Sequence, residues 1–241
     1  MEGFKKNINR SIESYLRGDY QKFKQYERTN FLLKHINKAI DKKTHYKLLD
    51  LGCSKGEMIY LLKESFENID FTGIDISEDL LDIAKKEIFL KSVKFIQDDI
   101  STFSLKENFD IVLMSGVISI FDDYEKILLN VLNHMKKGSV GFIFGAFNQD
   151  DIDVLIRYKN NYVGSNEWES GWNLFSLKRI NQFLEYHSKS VEIIKFNLNK
   201  KMKKKKNPVS SYTLELQNNS NLIVTGGGVI RDFYLIKFIK K

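Results

Sequence analysis

Short apolar runs and amphipathic stretches alternate along the central part of the chain. From Tyr46 to Phe147 the order is KLLDLG, EMIYLLKESF, FTGIDI, EDLLDIAKKE, VKFIQDDI, FDIVLMSG, YEKILLNVLNHM and SVGFIFGAF. The continuous apolar runs predict strands covered on both faces, and the longer segments carry apolar residues at helical spacing. The pattern therefore predicts an α/β architecture, a parallel sheet flanked by helices. Residues 1–43 lack strand-like runs and repeat Phe23, Tyr26, Phe31, Leu32, Ile36 and Ile40 at helical steps, which predicts a helical N-terminal cap before a core over 44–147.

After Phe147 the rhythm changes. A polar stretch containing both tryptophans precedes the helical pattern of SLKRINQFLEYH, and we assign 148–190 to a substrate lid inserted into a single domain spanning 1–241. Four extended segments, VEIIKFNLN, SYTLELQ, NLIVTGGG and RDFYLIKFI, fill 191–241, with Asn218, Asn219 and Ser220 predicting a turn between the second and third. The sheet is therefore expected to hold seven strands, mostly parallel with an antiparallel last strand and helices on both faces. Pro208, the only proline, falls in a loop where its missing N–H costs nothing.

Composition adds limits. A chain of 241 residues with 42% hydrophobic and 29% charged residues buries a sizeable core and stays out of the disordered and fibrous classes. No apolar run approaches the roughly 18 residues that a membrane span needs, and the opening MEGFKKNINRS lacks a signal-like stretch, so no membrane partner and a cytoplasmic location are expected. The lone Cys53 cannot form an internal disulfide, and no metal-ligating cluster is evident. The formal charge of +7 invites a nucleic-acid reading, yet Lys200, Lys201 and Lys203 to Lys206 carry six of the positive charges, leaving the body nearly neutral. A solvated loop is the simpler reading of that run.

The chemistry concentrates at strand ends. Leu48-Leu49-Asp50-Leu51-Gly52-Cys53-Ser54-Lys55-Gly56 is an apolar strand running into a glycine-containing turn that opens a helix, where glycine allows positive φ and close approach of a ligand to the backbone. Asp75 ends the next strand, where a carboxylate can accept both hydrogen bonds of a ribose diol; Asp98-Asp99-Ile100 ends the third and Ser115-Gly116 the fourth. In an open α/β sheet these ends share one edge, where ligands bind. The string Gly52-x-Ser54-x-Gly56 also fits the nucleophile elbow of serine hydrolases, but that fold places several strands before the elbow and only one precedes Ser54.

In order, LLDLGCSKG, TGIDIS, FIQDDI and FDIVLMSGV resemble the motifs of the class I S-adenosylmethionine (SAM) methyltransferases over roughly Tyr46 to Phe147. The resemblance implies a Rossmann-like fold, SAM as cofactor and S-adenosylhomocysteine (SAH) as product. It implies that Asp50, Gly52, Cys53, Ser54 and Gly56 line the methionine moiety, Asp75 and Ile76 the ribose, and Asp99 and Ile100 the adenine, with Ser115 and Gly116 beside the sulfonium. Arg28 in the cap would hold the SAM carboxylate. The middle glycine of the family's first turn is Ser54 here, which questions the local backbone shape.

Methyl transfer displaces a leaving group at an activated carbon, so positioning supplies much of the acceleration and a base is optional. His35, His45, His134 and His187 all read as structural, and no catalytic residue is assigned. The lid supplies Asn148, Arg157, Trp168, Trp172, Asn173 and Ser176 as substrate candidates, an Arg fork for phosphate or carboxylate and an aromatic ring for a base or sugar. FNQDDIDVLIRY, WESGWNLFS and Gly226-Gly227-Gly228 resemble methyltransferases of bacterial capsule and surface-glycan biosynthesis, which implies oxygen of a sugar, nucleotide-linked or phosphoramidate-type precursor as acceptor. The alternatives are an RNA methyltransferase using the Lys200–Lys206 run and a SAM-binding regulatory protein without turnover.

Overall fold

A computed structural model describes residues 20–159, 161, 168–204, 210–217 and 221–241. The Asn218–Ser220 turn, Pro208, Lys205, Lys206 and residues 1–19 of the expected cap lie outside them. Two helices come first, α1 (Tyr20–Lys24) and α2 (Glu27–Ala39), followed by β1 (Tyr46–Leu51), α3 (Glu57–Ser65), β2 (Ile69–Asp75), α4 (Glu78–Lys86), β3 (Lys94–Gln97), β4 (Phe109–Ser115), α5 (Tyr124–Asn133) and β5 (Met135–Asn148). The remainder comprises the short strands β6 (Arg157–Tyr158), β7 (Glu169–Ser170) and β8 (Phe175–Ser176), helix α6 (Leu177–His187), and strands β9 (Ser188–Phe196), β10 (Ser211–Glu215), β11 (Asn221–Thr225) and β12 (Asp232–Lys240).

The main sheet runs β3-β2-β1-β4-β5-β12-β9, and β8 adds a two-residue parallel pairing at the end of β5. Strands β1 to β5 pair in parallel, and β12 lies antiparallel between β5 and β9. The sheet thus has eight strands counting β8. Its antiparallel strand is last in sequence but second from the edge in space. Strands β10 and β11 form a separate antiparallel pair, as do β6 and β7.

Strand side chains alternate between two cores. On one face Leu49, Leu51, Val112, Met114 and Ile143 pack with Ile127, Leu128 and Val131 of α5 and Ile180 and Leu184 of α6. On the other, Leu48, Ile111, Leu113, Phe142 and Phe144 pack with Leu32 and Ile36 of α2, Ile59 and Leu62 of α3, and Leu81 and Ala84 of α4. Both faces are therefore apolar, which explains the continuous apolar runs in sequence. The Nζ of Lys240 donates to the carbonyls of Leu132 (2.6 Å) and Met135 (2.7 Å), fixing the last strand to the junction of α5 and β5. Among the described residues no helix is long and apolar enough to cross a membrane.

Candidate functional site at the carboxyl edge of the sheet

The parallel strands place their ends together. The turn after β1 holds three left-handed residues, Gly52 (φ 74°), Ser54 (φ 54°) and Gly56 (φ 80°), of which Ser54 alone among the described non-glycine residues has positive φ. The backbone thus keeps the shape of a glycine turn although its middle residue carries a side chain, at a cost of roughly 1–2 kcal/mol for left-handed sterics. Gly52 has a second reason to lack a Cβ, because the side chain of Val117 fills that space. Gly116 (φ 75°) ends β4 with nothing within 4 Å of where a Cβ would stand, so the edge is open there.

Asp75 organises the turn. Its Oδ2 accepts the backbone N–H of Ser54 at 2.8 Å, and its Oδ1 that of Ser77 at 2.9 Å. Burial pushes its carboxyl above the ordinary range, and the backbone donors pull the other way. Asp50, only 3% exposed, sits at the end of β1; burial, with the charges of Asp75 and Glu57 adding to it, pushes its pKa up to about 8. A buried carboxylate of this kind is stabilised in its charged form by a cation. Glu57, at the start of α3, is likewise raised by burial and feels the positive charges of Lys55 and Arg28.

Arg28 lies near the start of α2, its guanidinium 5.6 Å from the Tyr26 ring centroid and 5.9 Å from that of Phe23. The Tyr20 hydroxyl donates to the Lys55 carbonyl at 2.9 Å while its ring stacks on Tyr60 at 4.6 Å, joining α1 to the first turn. Cys53 is different. Its buried thiol lies against Gly73, where a Cβ would come within 2.7 Å of the sulfur, and donates to the Ser54 carbonyl at 3.7 Å; burial raises its pKa. Its side chain packs in the core beneath the turn.

Asp99, after β3, accepts from the Ser101 backbone N–H (2.8 Å) and hydroxyl (2.7 Å). Ile100 is buried, and the carbonyl of Ile76, half-buried after Asp75, accepts from Gln97 at 3.3 Å. Ser115 is half-buried beside Gly116, whose N–H donates to Phe144 at 2.7 Å. Arg28 and these residues from four strand ends thus gather at one end of the sheet.

The lid candidates divide. Asn173 is fully buried: its amide donates to the Phe121 carbonyl (2.7 Å) and to Asp122 (3.0 Å), and its side-chain oxygen accepts from Ile156 N–H (2.8 Å). It is a strut that ties the β6–β7 ribbon to the segment after β4. Ser176 caps α6 by accepting from Arg179 N–H and donates to Asp151 at 3.1 Å. Asn148 spans its own turn, accepting from Asp150 N–H and donating to the Ile152 carbonyl. Arg157 pairs with Asp122 at 2.5 Å. Trp168 is 67% exposed, whereas Trp172 is half-buried under the Arg231 guanidinium, 4.6 Å from the ring centroid. Arg231, more than fifty residues downstream, had no signal in the sequence that joined it to the lid.

The histidines stay away from the cleft. His134 is buried against Phe103, with Nδ1 2.8 Å from the Asn130 carbonyl and Nε2 accepting from Leu105 N–H at 3.0 Å, which makes Nδ1 the protonated nitrogen. His45 pairs with Asp70 at the opposite end of the sheet, and His35 packs on Phe31. His187, at the end of α6, packs on Phe183. Among the described residues no group of three or more His, Cys, Asp and Glu could hold a metal ion.

A family model described as a methyltransferase domain matches residues 42–189. The malonyl-[acyl-carrier protein] O-methyltransferase of Bacillus anthracis is 23% identical over 173 residues, covering 70% of this chain and 64% of that protein. The tRNA (guanine-N(7)-)-methyltransferase of Prochlorococcus marinus is 28% identical over 156 residues, covering 58% of this chain and 72% of that one. The chain spans between 48% and 64% of the length of the first four curated relatives it matches. The structure of the N-methyltransferase NodS from Bradyrhizobium japonicum, in complex with SAH, superposes with a TM-score of 0.61 at 14% identity, covering 97% of this chain and 98% of that one, a likeness of fold. None of these names carries a capsular or glycan acceptor, so the narrower resemblance gains no support.

Proposed function

Since the chain belongs to the methyltransferase-domain family, we propose that it is a SAM-dependent methyltransferase acting on an oxygen of a small polar acceptor. The observation that carries this reading is the first turn, three left-handed residues facing the carboxylate of Asp75.

The edge fits the cofactor. A glycine-type cradle admits close backbone approach, the open space above Gly116 leaves room beside β4, and the buried Asp50 favours a cationic neighbour. When bound, SAM supplies a methyl carbon made electrophilic by its positive sulfur. The backbone of Gly52, Cys53, Ser54 and Gly56 holds the methionine part, with Asp50 facing its positive charge and Arg28 binding its carboxylate. Asp75 and Ile76 take the ribose, and Asp99 and Ile100 the adenine. Ser115 and Gly116 border the position where the acceptor must arrive. For Asp75 to receive a diol, one of its present backbone donors shares an oxygen with a hydroxyl, which a carboxylate with about four lone-pair sites permits.

The chain's part in the reaction is orientation and exclusion of water. With His134 committed on both nitrogens, no histidine described here is positioned as a base. An acceptor oxygen that is already anionic attacks without one. The test is calorimetry of the purified protein with SAM and SAH, followed by methyl transfer to a metabolite panel. Binding of both and a methylated acid or hydroxyl product is expected; failure of both to bind removes the reading, and binding without turnover leaves a regulatory protein.

The tRNA-modifying relative favours a second reading, RNA as acceptor, with the lysines after β9 as the phosphate contact. Lys201 is already paired with Glu215 at 2.6 Å, and Lys204 lies 5.6 Å from the Tyr212 ring centroid. RNA binding would show a steep fall of log affinity with log salt, about −0.7 per phosphate contact on a single strand. A flat response is expected.

A further inference from the structure

The segment joining β3 to β4 carries Asp99 and Ile100 and lies outside any helix or strand, so its shape is set by what it hangs on. We propose that Asn130 of α5 is a positioning residue for the cofactor: by holding the carbonyls of Ile100 and Phe103, it aims the Asp99 carboxylate at the exocyclic amine of the adenine. The proposal rests on the SAM-binding reading given above.

On one side β2 steadies the segment, the Asp98 N–H donating to the Asp75 carbonyl at 3.1 Å. On the other, the side-chain amide nitrogen of Asn130 donates to the Ile100 and Phe103 carbonyls, each at 3.2 Å, in partly buried bonds. A primary amide has two N–H groups, so one side chain can satisfy both acceptors. One turn further along α5, His134 takes the far end of the segment. Its Nε2 accepts the Leu105 N–H at 3.0 Å, and its ring stacks on Phe103 with centroids 4.3 Å apart. Asn130 and His134 therefore grip three backbone groups of residues 100–105 from one face of one helix. Ile100 and Phe103 also pack with Ile127 and Val131 in the core. That burial is non-directional and tolerates rotation of the bend, whereas the hydrogen bonds select one orientation.

What this grip serves is visible at Asp99. Its carbonyl accepts from the N–H groups of Thr102 at 2.9 Å and Phe103 at 2.8 Å, which closes the bend. Its Oδ1 takes both bonds from Ser101, and its Oδ2 has no hydrogen-bond partner among the described residues. A half-buried carboxylate with one oxygen committed and one spare is set to accept an N–H from a ligand. The connection to Asn130 is short, because Asp99 immediately precedes Ile100, whose carbonyl the amide holds. Any rotation of the bend swings the spare oxygen off its line.

Calorimetry of the full chain with SAH and with S-inosylhomocysteine, in which a carbonyl replaces the adenine amine, reads this alignment as the ratio of two affinities. The wild type is expected to favour SAH by about tenfold or more, since the analogue offers Asp99 no N–H. Asn130→Ala should lower that ratio by about fivefold, the worth of roughly one hydrogen bond. A merely structural loss weakens both ligands together and leaves the ratio unchanged. In an Asp99→Ala background, Asn130→Ala should not move the ratio further, because the amide acts through the carboxylate. Should Asn130→Ala fail to fold by circular dichroism, Asn130→Ser, too short to reach the two carbonyls, decides. An unchanged ratio in the folded variant, or a further fall in the Asp99→Ala background, overturns the proposal and leaves the SAM reading standing. So does equal affinity of the wild type for the two ligands. No binding of either ligand by the wild type removes the SAM reading itself, and the proposal with it.

Discussion

The carboxylate of Asp75 accepts the backbone N–H of Ser54 at 2.8 Å, so the end of the second strand and the turn after the first form one unit. The same group bonds Ser77 N–H at the start of α4, and removing it leaves two backbone donors to find other partners.

Asp75→Ala therefore has two expected effects. Stability falls by about 1–3 kcal/mol, the usual cost of stranding partly buried donors. SAM affinity falls by about 1.5–3 kcal/mol as well, measured by calorimetry on the folded variant. Wild-type affinity in that variant would reject the assignment of Asp75 to the ribose.

Ser54→Gly is expected to stabilise. The residue holds φ 54°, a conformation costly to any side chain, and its buried hydroxyl has no hydrogen-bond partner among the described residues. Glycine relieves both at the expense of unfolded-state entropy, for a net gain of about 0.5–1 kcal/mol. For a domain of this size that is a rise in Tm of roughly 1–4 °C. A fall in Tm would contradict the strain argument.

Gly52 and Gly116 share positive φ but differ in surroundings, and alanine at each separates the two effects. At Gly116 the added methyl meets open space, so the cost is about 1–2 kcal/mol from backbone strain alone. At Gly52 the methyl also collides with Val117, adding about 1–3 kcal/mol. Urea unfolding of the pair checks the order, and equal costs would argue that Val117 moves aside freely.

Asp50 gives the protein a pH signature. Its folded pKa, pushed up to about 8, stands above the unfolded value, so between roughly pH 4 and 8 the folded state holds a proton that the unfolded chain has lost. Its contribution to stability therefore declines as pH rises through that window, by at most about 1.4 kcal/mol per pH unit, and levels off above it. A cationic ligand beside Asp50 favours the ionised form, so SAM affinity should increase from pH 6 to 8 with proton release on binding. Calorimetry in two buffers of different ionisation enthalpy measures that release, and Asp50→Asn should abolish it.

The parallel strands were legible because both faces of the sheet are covered: Leu48 and Leu49 face opposite cores and are both fully buried, so the sequence shows an unbroken apolar run. The positions of Asp75 and Gly116 at strand ends followed from the same runs. The polar residues of 148–176 were not legible in the same way. Asn173 and Ser176 look like ligand contacts in a string of letters, yet their hydrogen bonds hold the ribbon and cap α6, because a buried amide or hydroxyl must be satisfied wherever it serves. Cys53 belongs to the motif by position while its thiol belongs to the core. Nor could spacing reveal that Arg231 lies on Trp172, since the two residues stand 59 positions apart and meet only in the folded chain.

The place of β12 has a consequence for biosynthesis. The last strand in sequence is an interior strand, bonded to β5 on one side and β9 on the other. As the polypeptide leaves the ribosome, β1 to β5 can assemble in order, while β9 has no neighbour to receive it until Asp232–Lys240 emerges. Until then β5 presents an open hydrogen-bonding rim, the feature that recruits stray strands and chaperones. Premature termination before Asp232 would thus remove a plank from the middle of the sheet and leave two raw margins exposed.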